Sequence, residues 1–254
     1  MLRARFIPSL LIDENGDCIK TVNFKNRQYI GDILNTVRIF NEKEADEIVI
    51  FDIDATKKFK TPNFKIIKKL SYVCRMPLCY GGGISSVEDV KKIIGYGVEK
   101  ISISSNIKNF KLLESISKIA GVQSNVVCVN IKKIDDKYLI LNPGTQEILW
   151  NDVKIFLNEM NNIGVGEIIF NFIDKDGTMN GYDTYFLNSY LDFIKVPFSF
   201  LGGAGSIEHF KELIKIKSTI GIGCGSYFIY KGVKKAVLIN YLNFEEKKQL
   251  CNTI

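Results

Sequence analysis

The chain repeats itself at about half its length, and that repeat limits what it can fold into. Gly81-Gly82-Gly83-Ile84-Ser85 returns as Gly202-Gly203-Ala204-Gly205-Ser206. Upstream, Asp46-Glu47-Ile48-Val49-Ile50 is answered by Gly166-Glu167-Ile168-Ile169-Phe170. Downstream, Ile101-Ser102-Ile103-Ser104-Ser105 is answered by Ile220-Gly221-Ile222-Gly223-Cys224-Gly225-Ser226. In both copies an apolar run ends in a Gly/Ser loop and a helix-like stretch follows. Such a loop offers backbone N–H groups to an anion. Two of them related by a pseudo-twofold predict a ligand with a phosphate at each end.

Between these landmarks the pattern alternates. Apolar strand-like runs fall at 5–12, 47–53, 77–80, 99–103, 125–131, 167–172, 197–201 and 219–222. Stretches with helical apolar spacing fall at 32–44, 63–73, 86–94, 108–119, 150–162, 184–193, 207–216 and 233–242. Strands joined by crossover helices require a parallel sheet, and eight such units are the count of a closed (β/α)8 TIM barrel with a two-fold half-barrel repeat. An open sheet fits worse, because both halves carry equivalent glycine loops. Residues 132–148 predict an extra hairpin after the fifth strand. Residues 1–254 read as one domain, a length common for undivided barrels.

Several function classes recede on composition. No run of about 18 apolar residues exists, so no membrane span is expected. Met1-Leu2-Arg3-Ala4-Arg5 leads straight into a strand pattern, without the apolar region of a signal peptide. Cys18, Cys74, Cys79, Cys128, Cys224 and Cys251 show no Cys-x-x-Cys spacing and predict free thiols in a reducing cytoplasm. The single histidine, His209, excludes multi-histidine metal sites and reads as a helix-surface residue. The net charge of +6 is spread along the chain and does not point to nucleic acid. No metal and no cofactor are expected, and no Walker-type ATP loop is present.

In a barrel of this kind the C-terminal strand ends form the reactive face. Asp52 and Asp54 lie two apart in one strand and are expected to point inward together. Asp174-Lys175-Asp176-Gly177-Thr178 closes the sixth strand beside the second glycine loop.

These residues resemble HisF, the cyclase subunit of imidazole glycerol phosphate synthase, over essentially the full length. The resemblance rests on residues 46–56 (DEIVIFDIDAT), 80–84 (YGGGI), 97–102 (GVEKIS), 166–168, 173–183 (IDKDGTMNGYD) and 202–205 (GGAG). It implies a doubly phosphorylated substrate across the barrel mouth and ammonia arriving through the barrel from a HisH-like glutaminase on the opposite face. One phosphate site would use Gly83, Ser104 and Ser105, with Ser104 replacing the usual Asn. The other would use Asp176, Gly177, Gly203, Gly225 and Ser226. Arg5, Glu47, Lys100 and Glu167 match the charged ring that gates ammonia entry.

The chain also departs from that pattern. Members of the family use two aspartates, at the ends of strands one and five, as general acid and base; here those positions are Leu11 and Asn130. Neither can transfer a proton as a carboxyl group does, and such help is typically worth about 10²–10⁴-fold per group. The strings 7–11, 19–22, 40–44, 77–80 and 236–241 look like a HisF branch linked to surface-glycan genes, where an acetamido group on a sugar becomes acetamidino. Three expectations follow. The barrel delivers ammonia for that amidination, with an ATP-using amidotransferase partner, Asp176 and Asp52 at the mouth, and Lys20 as a mobile-loop cation. Alternatively, it is a histidine-pathway cyclase with acids relocated to Asp13 or Asp54. Alternatively, it is a scaffold that activates the glutaminase and only conducts ammonia.

Overall fold

A computed structural model describes residues 3–252. The chain opens with β1 (Arg5–Ile12), β2 (Asp17–Val22), β3 (Lys25–Asp32) and α1 (Ile33–Glu42). It continues with β4 (Ile48–Asp52), α2 (Ile53–Lys57), α3 (Phe64–Val73), β5 (Leu78–Gly81), α4 (Val87–Gly95), β6 (Lys100–Ile103) and α5 (Phe110–Ala120). The second half holds β7 (Asn125–Ile134), β8 (Lys137–Leu141), β9 (Ile148–Trp150), α6 (Val153–Ile163), β10 (Glu167–Phe172), α7 (Thr184–Tyr190), β11 (Phe198–Leu201) and α8 (Ile207–Ile216). It ends with β12 (Gly221–Cys224), α9 (Ser226–Ile229), β13 (Tyr230–Lys231), β14 (Ala236–Val237) and α10 (Phe244–Asn252).

Parallel pairing runs β1–β4–β5–β6–β7–β10–β11–β12 and returns from β12 to β1, which closes an eight-stranded (β/α)8 barrel. Period-2 alternation divides each strand between two cores. Ile7, Val49, Cys79, Val126, Cys128, Ile169 and Leu201 fill the barrel interior. Phe6, Leu10, Ile48, Ile50, Phe170 and Phe200 point outward and pack under the helices. The helices bury one stripe each. In α1 that stripe is Ile33, Thr36, Val37 and Phe40, and Asp32 caps the helix by accepting from the Asn35 N–H.

The glycine loops obey the repeat at atomic detail. Gly82 (φ +127°) and Gly202 (φ +97°) both lie in the left-handed region. A Cβ on Gly82 would meet the Asp52 carbonyl oxygen at 2.4 Å; one on Gly202 would meet that of Phe172 at 2.8 Å. The same close approach to the preceding strand therefore requires glycine in both halves, before any ligand is considered.

One expectation needs correction, and one element was not expected. Residues 233–242 are not helical: the last unit has the short α9, the β13–β14 hairpin and then α10. Their apolar spacing reflects Ile239, Tyr241 and Leu242 packing onto the core from an irregular segment. The β2–β3 hairpin, absent from the sequence reading, extends antiparallel from β1. The hairpin expected after the fifth strand is present as β7–β8, with β9 beside it. Among the described residues no helix is long and apolar enough to cross a membrane.

Candidate active site and barrel floor

The C-terminal strand ends surround one cavity. Gly83, Ser104 and Ser105 line one end, and Gly177, Gly203, Gly225 and Ser226 the other; Asp52, Leu11, Lys20, Asn130 and Asp176 also border it. The residues expected to form the site thus converge. Their individual partners differ from expectation in four places.

Asp52 has the outward parity of Ile48 and Ile50 rather than the inward parity of Val49 and Phe51. Its Oδ1 accepts from the N–H groups of Asp54 and Ala55 (3.2 and 2.9 Å), which caps α2, and the Tyr80 hydroxyl lies 3.4 Å from Oδ2. Burial pushes the Asp52 carboxyl above its ordinary pKa. Asp54 does not share the cavity. It takes both arms of the Arg27 guanidinium at 2.8 and 2.5 Å, and these hydrogen bonds hold its carboxyl below the ordinary range. The strand ends at Asp52, so period-2 geometry no longer applies between the two residues.

Asp176 is turned toward the β2–β3 hairpin: its Oδ2 accepts from the Thr21 hydroxyl (2.8 Å) and the Phe24 N–H (3.2 Å). Lys20, expected on a mobile loop, lies on β2 and is only 5% exposed. Its ammonium abuts Gly225, where a Cβ would fall 2.2 Å from Nζ.

Asp13 accepts from the N–H groups of Asn15 and Asp17 in a turn and does not line the cavity. Leu11 does line it. Asn130 sits in a neutral chain, with Asn171 Nδ2 donating to its Oδ1 (3.0 Å) and its own Nδ2 donating to Ser104 Oγ (2.9 Å). Cys128 and Cys224 also face the cavity, but burial pushes both thiols up to about 12, so they stay protonated near neutrality. The mouth therefore holds cationic and neutral polar groups, and both its carboxylates are already engaged.

His209 is half-buried rather than a free surface residue; its Nδ1 accepts from the Gly205 N–H at 3.1 Å and braces the second glycine loop.

At the opposite end, Arg5, Glu47, Lys100 and Glu167 meet around the barrel axis. Arg5 donates to Glu47 and, at 2.7 Å, to Glu167; Lys100 donates to Glu47 at 2.7 Å and Glu167 at 2.8 Å. Two cations and two anions alternate in a closed ring. Burial alone would raise the Glu167 pKa, but Arg5 and Lys100 outweigh it and hold the carboxyl at about 2. Ser199, which the sequence reading missed, donates a short hydrogen bond to Glu167. Gly221 leaves room for that serine, since a Cβ there would fall 1.9 Å from Ser199 Oγ. Between floor and mouth, Ser102 presents a buried hydroxyl without a hydrogen-bond partner among the described residues.

Residues 5–234 match the family described as "Histidine biosynthesis protein". A protein of Leptospira borgpetersenii, provisionally named imidazole glycerol phosphate synthase subunit HisF, is 47% identical over 254 residues, covering 98% of this chain and 99% of that one. The chain belongs to the HisF family. Similar relatives are the provisionally named hisF3 subunit of Vibrio vulnificus (43% identical; 98% of this chain, 96% of the other) and hisF2 subunit of Pseudomonas aeruginosa (37%; 95% and 96%). As a HisF-like synthase subunit, this barrel combines the family scaffold with a mouth that contains no unengaged carboxylate among the described residues.

Proposed function

We propose that this HisF-like barrel receives ammonia from a HisH-like glutaminase docked on its floor and delivers it at the mouth for amidination of an acetamido group on a surface-glycan sugar. One observation carries the reading: a closed charge ring on the axis lies opposite a mouth whose two carboxylates are both engaged. Imidazole closure needs proton transfer at two carboxylates, and Leu11 with the hydrogen-bonded Asn130 offers neither. The relocated candidates fare no better, because Asp54 is paired with Arg27 and Asp13 is held in a turn.

Amidination makes a different demand. Ammonia attacks the amide carbon, a C–N bond forms, and the carbonyl oxygen departs on a phosphoryl group supplied from ATP by a partner protein. The barrel's part is to keep NH₃ unprotonated and away from water. Apolar residues through the middle of the barrel and a mouth lacking free carboxylates suit that task. An anionic end of the substrate would meet Lys20, Gly225 and Ser226, while Gly83, Ser104 and Ser105 would take the other end. The free thiols, four of them buried, suit a reducing cytoplasm.

The commitment of Asp52 to α2 and of Asp176 to the hairpin favours a second reading in which the barrel conducts ammonia and a partner performs all bond-making. Purified protein, supplied with ammonium and the phosphoribulosyl substrate of the histidine pathway, should show no ring closure. Robust cyclisation would overturn both readings.

A further inference from the structure

Exposed apolar side chains gather on one arc of the mouth rim. The segments that follow β12, β1 and β4 build this arc, and those three strands are neighbours in the barrel. After β4, Phe59 stands 90% exposed with φ +51°, in a turn fixed by the Lys60 N–H donating to the Ala55 carbonyl at 2.8 Å. After β1, Tyr29 projects into solvent from β3. After β12, Val233 is fully exposed between β13 and β14, and Val237 and Leu238 are exposed behind it. Apolar residues scattered singly over a surface are common, whereas a group of them on adjoining loops marks an interaction site.

Two contacts join these loops into one platform. The Tyr230 hydroxyl donates to Gln28 Oε1 at 2.8 Å and ties β13 to β3; Arg27 grips Asp54 and ties β3 to α2. Among the described residues β3 pairs only with β2, and β14 only with β13, so each keeps an open edge. Lysines commonly guard such edges against stray pairing. Guarding leaves Val233, Val237 and Leu238 unexplained, because they invite the contact that lysine discourages. The charge on the arc is also one-sided. Lys231, Lys234 and Lys235 surround Val233, and no Asp or Glu occurs from residue 213 to residue 244. None of the three makes an ion pair among the described residues. The platform is therefore apolar and basic, the complement of a protein face that carries carboxylates among apolar side chains.

We infer that this arc docks the ATP-using partner through an acidic, partly apolar face of that protein. The barrel then lies between two proteins, with the glutaminase at its floor and the amide-activating partner at its mouth. This placement answers a need of the proposed function, on which the inference rests. Ammonia that leaves an uncovered mouth meets water and becomes ammonium, which cannot attack an amide carbon. A partner seated on the rim covers the exit and brings the activated amide to it.

The test uses the full chain in complexes purified from native cells, with a photo-crosslinking side chain placed at Phe59, at Leu238 or, as a control at the floor end of α3, at Tyr72. Cross-links from Phe59 and Leu238 should reach a protein that makes the amidino product only when ATP is present; Tyr72 should not reach it. The affinity of that protein for the barrel should fall as salt rises. Lys231→Glu/Lys234→Glu/Lys235→Glu should weaken it about 10-fold or more, and Val233→Asp/Leu238→Asp should weaken it with the lysines intact. Glutamine hydrolysis by the glutaminase should keep its rate in both variants, which also shows that they fold. Unchanged affinity in both variants would overturn the inference, as would a complex without an ATP-using protein. Arc cross-links to the glutaminase or to a second copy of the chain would do the same. Binding to phosphatidylglycerol vesicles that is lost in the lysine variant would assign the arc to a membrane surface and overturn it too. Nitrogen transfer is scored separately with ¹⁵N-labelled glutamine: label in the product without arc cross-links to the partner defeats the docking alone, whereas arc cross-links without label defeat the proposed function.

Discussion

Replacing Arg5 with alanine probes the floor directly. Arg5 and Lys100 between them face Glu47 and Glu167. Without the guanidinium, Lys100 alone answers two carboxylates whose side chains are only 6% and 5% exposed, leaving one buried negative charge uncompensated. Breaking a fully buried pair costs about 3–5 kcal/mol. Because the Arg5 side chain keeps 29% of its surface, water can offset part of the loss, and about 2–3 kcal/mol is the reasonable expectation. For a chain of this length that lowers Tm by roughly 4–12 °C. The functional effect is separate from stability. With the ring broken, ammonia made by the glutaminase should escape, and ammonium in bulk solution should approach the amount of glutamate formed. The assay follows glutamate and free ammonium in parallel on the purified two-subunit complex below the variant's Tm. A Tm drop with unchanged ammonium partition would refute the gate and leave the ring as a stabilising salt-bridge network.

Restoring both acids with Leu11→Asp/Asn130→Asp should raise ring closure of the phosphoribulosyl substrate from undetectable to measurable, with each single variant remaining at least 10²-fold slower; activity in the unaltered chain would contradict the account. The floor should also sense acid. The Glu167 pKa falls from 4.5 to about 2 on folding, so its stabilisation is complete above about 4.5 and is lost as pH drops toward 2. Urea unfolding at several pH values should show that slope, and Glu167→Gln should flatten it. Gly221→Ala places a methyl against Ser199 and should cost about 1–3 kcal/mol in urea unfolding by breaking the Ser199–Glu167 bond; an unchanged midpoint would mean that the floor yields easily.

Much of this protein was legible in its sequence because the signals were local or repeated. The β1, β10 and α8 boundaries (Arg5–Ile12, Glu167–Phe172 and Ile207–Ile216) were read without error, since apolar periodicity and the following loop agree there. Gly83, Ser104, Ser105, Gly203, Gly225 and Ser226 lie in the repeated segments, whereas Gly177 comes from the Asp-Gly turn after β10. What escaped notice depends on long-range pairing. Lys25–Asp32 is largely exposed and polar, so β3 lacks the alternation of a half-buried strand and owes its place to pairing with β2. Asp176 could be located but not assigned, because its partners lie about 150 residues earlier in the chain. Ser199 gave no sign at all; only its position beside Glu167 explains it. Asp52 and Asp54 misled because the strand turns into α2 at that point.

The central claim is that nitrogen passes through the barrel without meeting bulk water. The complex with its glutaminase, purified from native cells, should be given glutamine labelled with ¹⁵N at the amide, together with an excess of unlabelled ammonium. Transfer through the barrel predicts an aminated product enriched in ¹⁵N close to the level of the glutamine. A product whose label is diluted to that of the ammonium pool would contradict it.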